Sequence, residues 1–172
     1  RDAVIVNSGT IGITETVEIL GKIGARLKFI DAPVAGGTHG AENGTLTFMI
    51  GGSSDVITNL DSILKCMGKK VFFLGDVGKG QAAKICNNLL LAINMMGACE
   101  SYALADKLGL NLKSFDELVN VSSGRSWVTE CNNPVPGLNQ ATPATDNYLT
   151  GFASGLLLKD IQLALKAIPN NS

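Results

Sequence analysis

Gly78-Lys79-Gly80-Gln81-Ala82-Ala83-Lys84-Ile85-Cys86-Asn87-Asn88 divides this 172-residue chain into two kinds of sequence. Before it, short apolar runs alternate with helical patterns; after it, apolar residues keep a helical period. The run opens a segment over 81–108 that reads as one long helix, apolar nearly all round until Glu100 and ended by Gly109. Such a helix is expected to be buried between partners rather than lie on a surface. Lys84 and Asn88, four residues apart, share one of its faces and can touch one ligand. Burial strips solvation from an ammonium and lowers its pKa, which turns a lysine into a proton-transfer group near neutral pH. A lysine snorkelling from the start of a core helix is the competing reading.

Upstream, Ala3-Val4-Ile5-Val6 suits a buried strand ending in the turn Asn7-Ser8-Gly9-Thr10. A helix follows with Ile13, Val17 and Leu20 on one face, closing near Gly21 or Gly24. Residues 27–34 read as the next strand, punctuated by Pro33 and ended by Gly36-Gly37, and 45–50 as another. Ser53 or Ser54 would cap a helix through Val56, Leu60, Ile63, Leu64 and Met67, with Gly68 just past its end. Val71-Phe72-Phe73-Leu74 is the last strand. This alternation predicts a mostly parallel sheet with covering helices. Downstream, 113–121 and 152–168 read as helices, separated by an irregular loop over 132–150. The predicted fold class is therefore α/β followed by all-α, in two domains, 1–80 and 81–172.

Charge is low and balanced, with 14 basic and 15 acidic residues and a net charge of −1. No basic stripe argues for a nucleic-acid partner. The longest apolar stretch, residues 89–98, contains Asn94 and is short for a bilayer, so no membrane partner is expected. Cys66, Cys86, Cys99 and Cys131 show no C-x-x-C spacing, and His39 is the single histidine, so no metal site is expected. Cys86 and Cys99 read as small hydrophobes within apolar helix, in a reducing compartment.

Three other stretches carry chemistry with ordinary structural alternatives. Asp31-Ala32-Pro33-Val34-Ala35-Gly36-Gly37 ends in two glycines whose backbone N–H groups can approach an anion, or make a plain strand-to-loop turn. Asn7-Ser8-Gly9-Thr10 can face a ligand at the carboxyl edge of the sheet, or simply cap a helix. Lys159-Asp160, inside the apolar run 156–164, reads alone as a surface pair.

Taken in order, these stretches resemble the β-hydroxyacid dehydrogenase family, most closely its members that oxidise 3-hydroxyisobutyrate. The resemblance rests on Asp31–Gly37, Gly44-Thr45-Leu46-Thr47-Phe48-Met49-Ile50-Gly51-Gly52 and Gly80-Gln81-Ala82-Ala83-Lys84-Ile85-Cys86-Asn87-Asn88. It continues through Ser122-Ser123-Gly124-Arg125-Ser126-Trp127, Asn133-Pro134-Val135-Pro136-Gly137 and Leu158-Lys159-Asp160, covering essentially the whole chain. It implies the later part of a Rossmann-like NAD-binding domain over 1–80, joined to a truncated helical substrate and dimerisation domain over 81–172. It also implies oxidation of a small 3-hydroxy acid to its semialdehyde with NAD, NADP remaining an alternative. Lys84 would be the acid/base. Gly36, Gly37, Asn88, Ser123 and Gly124 would hold substrate, and Thr10, Lys159 and Phe152 would meet the cofactor. A homodimer or homotetramer is implied for the full-length protein. So is a role in valine breakdown, in the mitochondrion of a eukaryote or the cytoplasm of a bacterium. Within the family's range lie two other expectations: an NADPH-dependent glyoxylate or short-semialdehyde reductase, and an inactive member serving as an interaction module.

Two departures qualify the resemblance. Ala35 stands where the family usually has serine, which removes a hydroxyl donor; such a bond to a charged group is worth about 1.5–3 kcal/mol. The family's G-x-G-x-x-G turn is not in this sequence, so a piece of a longer protein is expected, with weak dinucleotide binding of its own. His39 is expected to be a solvated loop residue.

Overall fold

The computed structural model describes residues 3–24, 27–140 and 142–168; residues 1–2, 25–26, 141 and 169–172 lie outside it, and with them the outer ends of both expected domains. The chain forms two compact units, one of residues 1–89 with 155–172, the other of residues 90–154. This differs from a division at 80/81, because the last helix packs with the first unit rather than with the helical segment before it.

In the first unit, Val4–Asn7 (β1) pairs in parallel with Lys28–Asp31 (β2), and Ile13–Ile23 (α1) makes the crossover. The helix ends at Gly24, as its sequence implies, but its face is rotated: Thr16 is buried and Val17 is 52% exposed. The Thr16 hydroxyl donates to the Gly12 carbonyl at 2.7 Å, which makes its burial tolerable. The strand expected over 27–34 breaks at Ala32-Pro33, since proline has no N–H for a ladder. Beyond the break, Val34–Ala35 (β3) runs antiparallel to Leu46–Ile50 (β4), which is parallel to Gly68–Phe73 (β5). Asp31 and Gly51 exchange backbone hydrogen bonds of 3.0 and 2.8 Å in an antiparallel bridge that links the two sheets. The pairings are thus mostly parallel, as expected, with the short β3 as the antiparallel strand.

The short helix Gly37–Glu42 (α2) lies where a glycine-rich loop was expected, and His39 sits exposed on it rather than on a loop. Ser54–Lys65 (α3) follows with Ser53 at its N-cap, although the Ser53 hydroxyl donates to Asp55 instead of receiving from the backbone. Gly68 does not terminate α3; Cys66 does, and buried Gly68 opens β5. Ile30, Ala32, Phe48, Ile50, Val56, Ile57 and Leu64 form the core of this unit.

Lys79–Lys107 (α4) is one continuous helix, as its apolar sequence predicts, and it contributes to both units. It is not buried all round: Leu90, Ile93, Met96 and Leu104 are each more than half exposed. Cys86 and Cys99 are exposed too, not core hydrophobes. By length and composition α4 could cross a membrane. Its polar residues Gln81 and Asn88, however, are buried and hydrogen-bonded to other elements of the protein.

In the second unit, Leu112–Asn120 (α5) starts at Asn111, whose side chain accepts from the Ser114 N–H. Trp127–Cys131 (α6) is held by a capping box between Ser126 and Thr129. That helix is not evident in sequence, because threonine takes the place of the usual Glu or Gln. Ala98, Tyr102 and Val128 centre a small core, with the Tyr102 ring edge-on to Phe115 at 5.2 Å. The Tyr102 hydroxyl donates to Asp116 at 2.5 Å, and burial pushes its pKa up. Residues 132–140 and 142–150 are irregular apart from a 3₁₀ turn at Pro143–Asp146. Ser154–Lys166 (α7) closes the described chain.

Candidate active site

The start of α4 is fixed by a carboxylate from the sheet. Asp31, fully buried at the end of β2, accepts from the Gly78 N–H at 2.7 Å and from the Gln81 N–H at 2.8 Å. It satisfies two of the orphan donors at a helix N-terminus and sets a negative charge at the positive end of the dipole. The approach is close enough to require glycine: a Cβ on Gly80 would run into the Met49 carbonyl, and one on Gly51 would lie 2.6 Å from the Asp76 carbonyl oxygen. The motif glycines at 51 and 80 therefore seat the helix on the carboxyl edge of the strands.

Gln81 then ties the loop after β1 to the same helix. Its Nε2 donates to the Gly9 carbonyl at 2.7 Å, and its Oε1 accepts from the Ile11 and Gly12 N–H groups at 3.1 and 3.3 Å. Thr10 lies between these anchor points, and Lys159 of α7 donates to the Thr10 carbonyl at 2.5 Å.

One turn after Gln81 stands Lys84, half-buried. Burial holds its ammonium below the ordinary lysine pKa; the Asp160 carboxylate opposes that shift and Lys159 adds to it. Asn88 is buried one turn further on and donates to Asp160 Oδ2 at 2.5 Å, while its Oδ1 accepts from Asn87 at 3.1 Å. Asp160 Oδ1 lies 2.9 Å from the Lys159 ammonium but accepts no aligned hydrogen bond among the described residues. Lys84, Asn88, Lys159 and Asp160 thus form one charged and polar cluster between α4 and α7. Chemically it offers an amine that loses its proton more readily than a solvated lysine, beside an amide and a carboxylate.

Gly36 and Gly37 begin α2 with φ of 129° and 61°, values open to glycine and strained for other residues. The first amides of a helix have no intrahelical acceptor, so this turn can offer N–H groups to a carboxylate. Thr10, Gly36, Gly37, Lys84, Asn88 and Lys159 all belong to the first unit. Ser123 and Gly124, exposed in the turn between α5 and α6, and Phe152, half-exposed before α7, belong to the second. Asp31, Gln81 and Asp160 were not singled out as site residues in the sequence. A carboxylate inside the apolar run 156–164 was the available sign for Asp160; its pairing with the adjacent lysine disguised it.

A family model described as the NAD-binding segment of NADP-dependent 3-hydroxyisobutyrate dehydrogenase matches residues 78–170, more than half of the chain. The chain belongs to the β-hydroxyacid dehydrogenase family. A second model, described as the NAD-binding domain of 6-phosphogluconate dehydrogenase, matches residues 1–75. Mitochondrial 3-hydroxyisobutyrate dehydrogenase of Drosophila melanogaster is 46% identical over 165 residues, which cover 95% of this chain and 51% of that protein. The human enzyme of the same name is 44% identical over 167 residues, covering 95% of this chain and 49% of its own. A solved structure of Mycobacterium tuberculosis 3-hydroxyisobutyrate dehydrogenase with L-serine superposes with a TM-score of 0.92 at 36% identity, covering 98% of this chain and 58% of that one. The family's Rossmann-like α/β fold, with its helical continuation, is the fold seen here. The chain spans about half the length of the curated relatives it matches.

Proposed function

We propose that the protein containing this chain oxidises a small 3-hydroxy acid, 3-hydroxyisobutyrate foremost, to its semialdehyde, with Lys84 as acid/base. The observation that carries this reading is a half-buried lysine of lowered pKa, clustered with Asn88 on the helix that Asp31 seats against the sheet edge. In oxidation, neutral Lys84 takes the hydroxyl proton; in reduction, its ammonium returns one. Asn88 keeps one donor and one acceptor position beyond its bonds to Asp160 and Asn87, enough to orient the substrate hydroxyl. The amides at Gly36 and Gly37 receive the substrate carboxylate.

The residues present fit a dinucleotide. Asn7 Nδ2 is buried at the carboxyl end of β1 with no hydrogen-bond partner among the described residues, and the Lys159 ammonium lies beside the Thr10 loop. Asn7, Thr10 and Lys159 would hold the cofactor there, and a bound nicotinamide supplies the hydride acceptor. L-serine in the mycobacterial structure is itself a small 3-hydroxy acid, which supports the substrate class.

A second reading within the same family is an NADPH-dependent reductase of glyoxylate or short semialdehydes: the matching family model is described as NADP-dependent, and Ala35 leaves the choice among small carboxylate substrates open. The retained Lys84 speaks against an inactive interaction module. Eukaryotic relatives are named mitochondrial, and the same address applies if this protein is eukaryotic. The exposed apolar residues of α4 support a homodimer or homotetramer of the full-length protein.

The test is turnover by the full-length protein of 3-hydroxyisobutyrate, related short hydroxy acids, glyoxylate and semialdehydes, with NAD and NADP in parallel. Lys84→Ala is expected to lose about 10²–10⁴-fold in turnover while keeping its circular dichroism. Full activity of that variant would remove Lys84 from the mechanism.

A further inference from the structure

Gln81 stands one helical turn before Lys84, and its side chain bonds to neither substrate-facing candidates nor solvent. All three of its side-chain hydrogen bonds go to the backbone of residues 9–12: donation to the Gly9 carbonyl, acceptance from the Ile11 and Gly12 N–H groups. It is fully buried, and its own backbone N–H is held by Asp31. Glutamine is the side chain this geometry needs, because donor and acceptor must act side by side at the end of a two-carbon stem. The Thr10 loop is thus hydrogen-bonded to α4 at a point three residues from Lys84, and, among the described residues, to α7 through Lys159.

We propose that Gln81 is a positioning residue that sets the loop 9–12, and with it the bound nicotinamide, at its working distance from Lys84. Proton and hydride must leave one carbon–oxygen unit towards two acceptors held by different elements, β1's loop and α4. Gln81 is the side chain that joins these two elements directly. A displacement of about 1 Å at a reacting centre can cost roughly 10²-fold in rate. The proposal rests on the reading of Lys84 given above.

The test uses full-length enzyme carrying Gln81→Met, which keeps length and loses all three bonds, and Gln81→Glu, which keeps the acceptor and loses the donor to Gly9. For Gln81→Met the expected result is a KM for the dinucleotide raised about tenfold and a kcat lowered about 10–100-fold. The KM for hydroxy acid and the pH midpoint of kcat should stay unchanged, because Lys84 is untouched. Gln81→Glu should show a smaller change of the same kind, and it decides the matter should Gln81→Met fail to fold. A merely structural glutamine would lower the urea midpoint and leave kcat and both KM values within twofold; that result overturns the proposal. Two readouts need no turnover. Amide exchange at Ile11 and Gly12 should accelerate in Gln81→Met, and NADH or NADPH binding should weaken about tenfold. If the wild-type protein turns over none of the hydroxy acids, the dehydrogenase reading falls, while these two readouts still decide the clamp. Unchanged exchange and unchanged dinucleotide binding would sink it.

Discussion

The two ends of α4 bury different mixtures of residue: polar side chains join Ile85 at the start, and small or aromatic ones fill the far end. In its first three turns Gln81 and Asn88 are buried and Lys84 is half-buried, each beside a partner on β1's loop or α7. Further along, Ala98, Tyr102 and Ala105 are buried, while Leu90, Ile93, Met96 and Leu104 face out. A hydrophobic pattern alone orders these residues the other way round. The difference teaches that burial at the start of α4, where Ile85 is buried too, follows hydrogen bonding as well as hydropathy. A buried amide with satisfied groups costs little, whereas an unsatisfied one costs about 1–3 kcal/mol. Gln81 and Asn88 are buried there because another segment was brought to each.

The loss of turnover expected of Lys84→Ala is the largest effect that would follow from this contrast. Next comes Asp31→Ala, which leaves the Gly78 and Gln81 N–H groups buried without an acceptor. It should destabilise the protein by about 2–4 kcal/mol in urea unfolding. A loss below 0.5 kcal/mol would mean that α4 is not seated by this carboxylate.

A subtler effect concerns pH. Asp160 raises the Lys84 pKa against the lowering by burial. Asp160→Asn should therefore move the rising limb of the pH–rate profile for oxidation to lower pH, and an unmoved limb would separate the two residues. The stability effect has a definite sign. Folded Lys84 titrates below its unfolded value of 10.5, so between those two pKa values the unfolded chain binds the extra proton. Stability gains from Lys84 as pH rises through that window, and Lys84→Met should abolish the gain.

The smallest effect is expected at the far end of the helix. Ile93→Gln should change the unfolding free energy of a monomer by less than about 0.5 kcal/mol. In the full-length protein the same change should weaken self-association in light scattering, if this face lies between subunits. A large loss of stability without any change in mass would show that Ile93 is covered within the chain.

Much of this was legible in local sequence. Periodicity placed α1, α3, α4, α5 and α7 within a few residues, and the spacing of Lys84 and Asn88 put both on one face. The short helices α2 and α6 were not legible: one starts in glycines, the other is capped by a Ser–Thr pair in place of the usual glutamate. Pro33 marked an interruption of its strand, but the reversal that follows depends on pairing of Val34 with Phe48 and Ala35 with Thr47 in β4, which a local pattern does not reveal. Val17 and Thr16 exchanged their expected places because the Gly12 carbonyl was available to the hydroxyl.

The sequence by itself determined the order of the longer strands and helices, the long α4, and the family to which Lys84 and its neighbours belong. Each depends on residues close together in the chain or on an ordered set of motifs. Only the tertiary structure decided that Asp31 caps α4, that Gln81 holds the Thr10 loop, and that Asp160 faces Asn88 rather than forming a plain surface pair with Lys159. Those contacts join residues 50, 72 and 72 positions apart. Burial turns such distant polar partners into requirements, because a group removed from water must find its hydrogen bond wherever the fold supplies one.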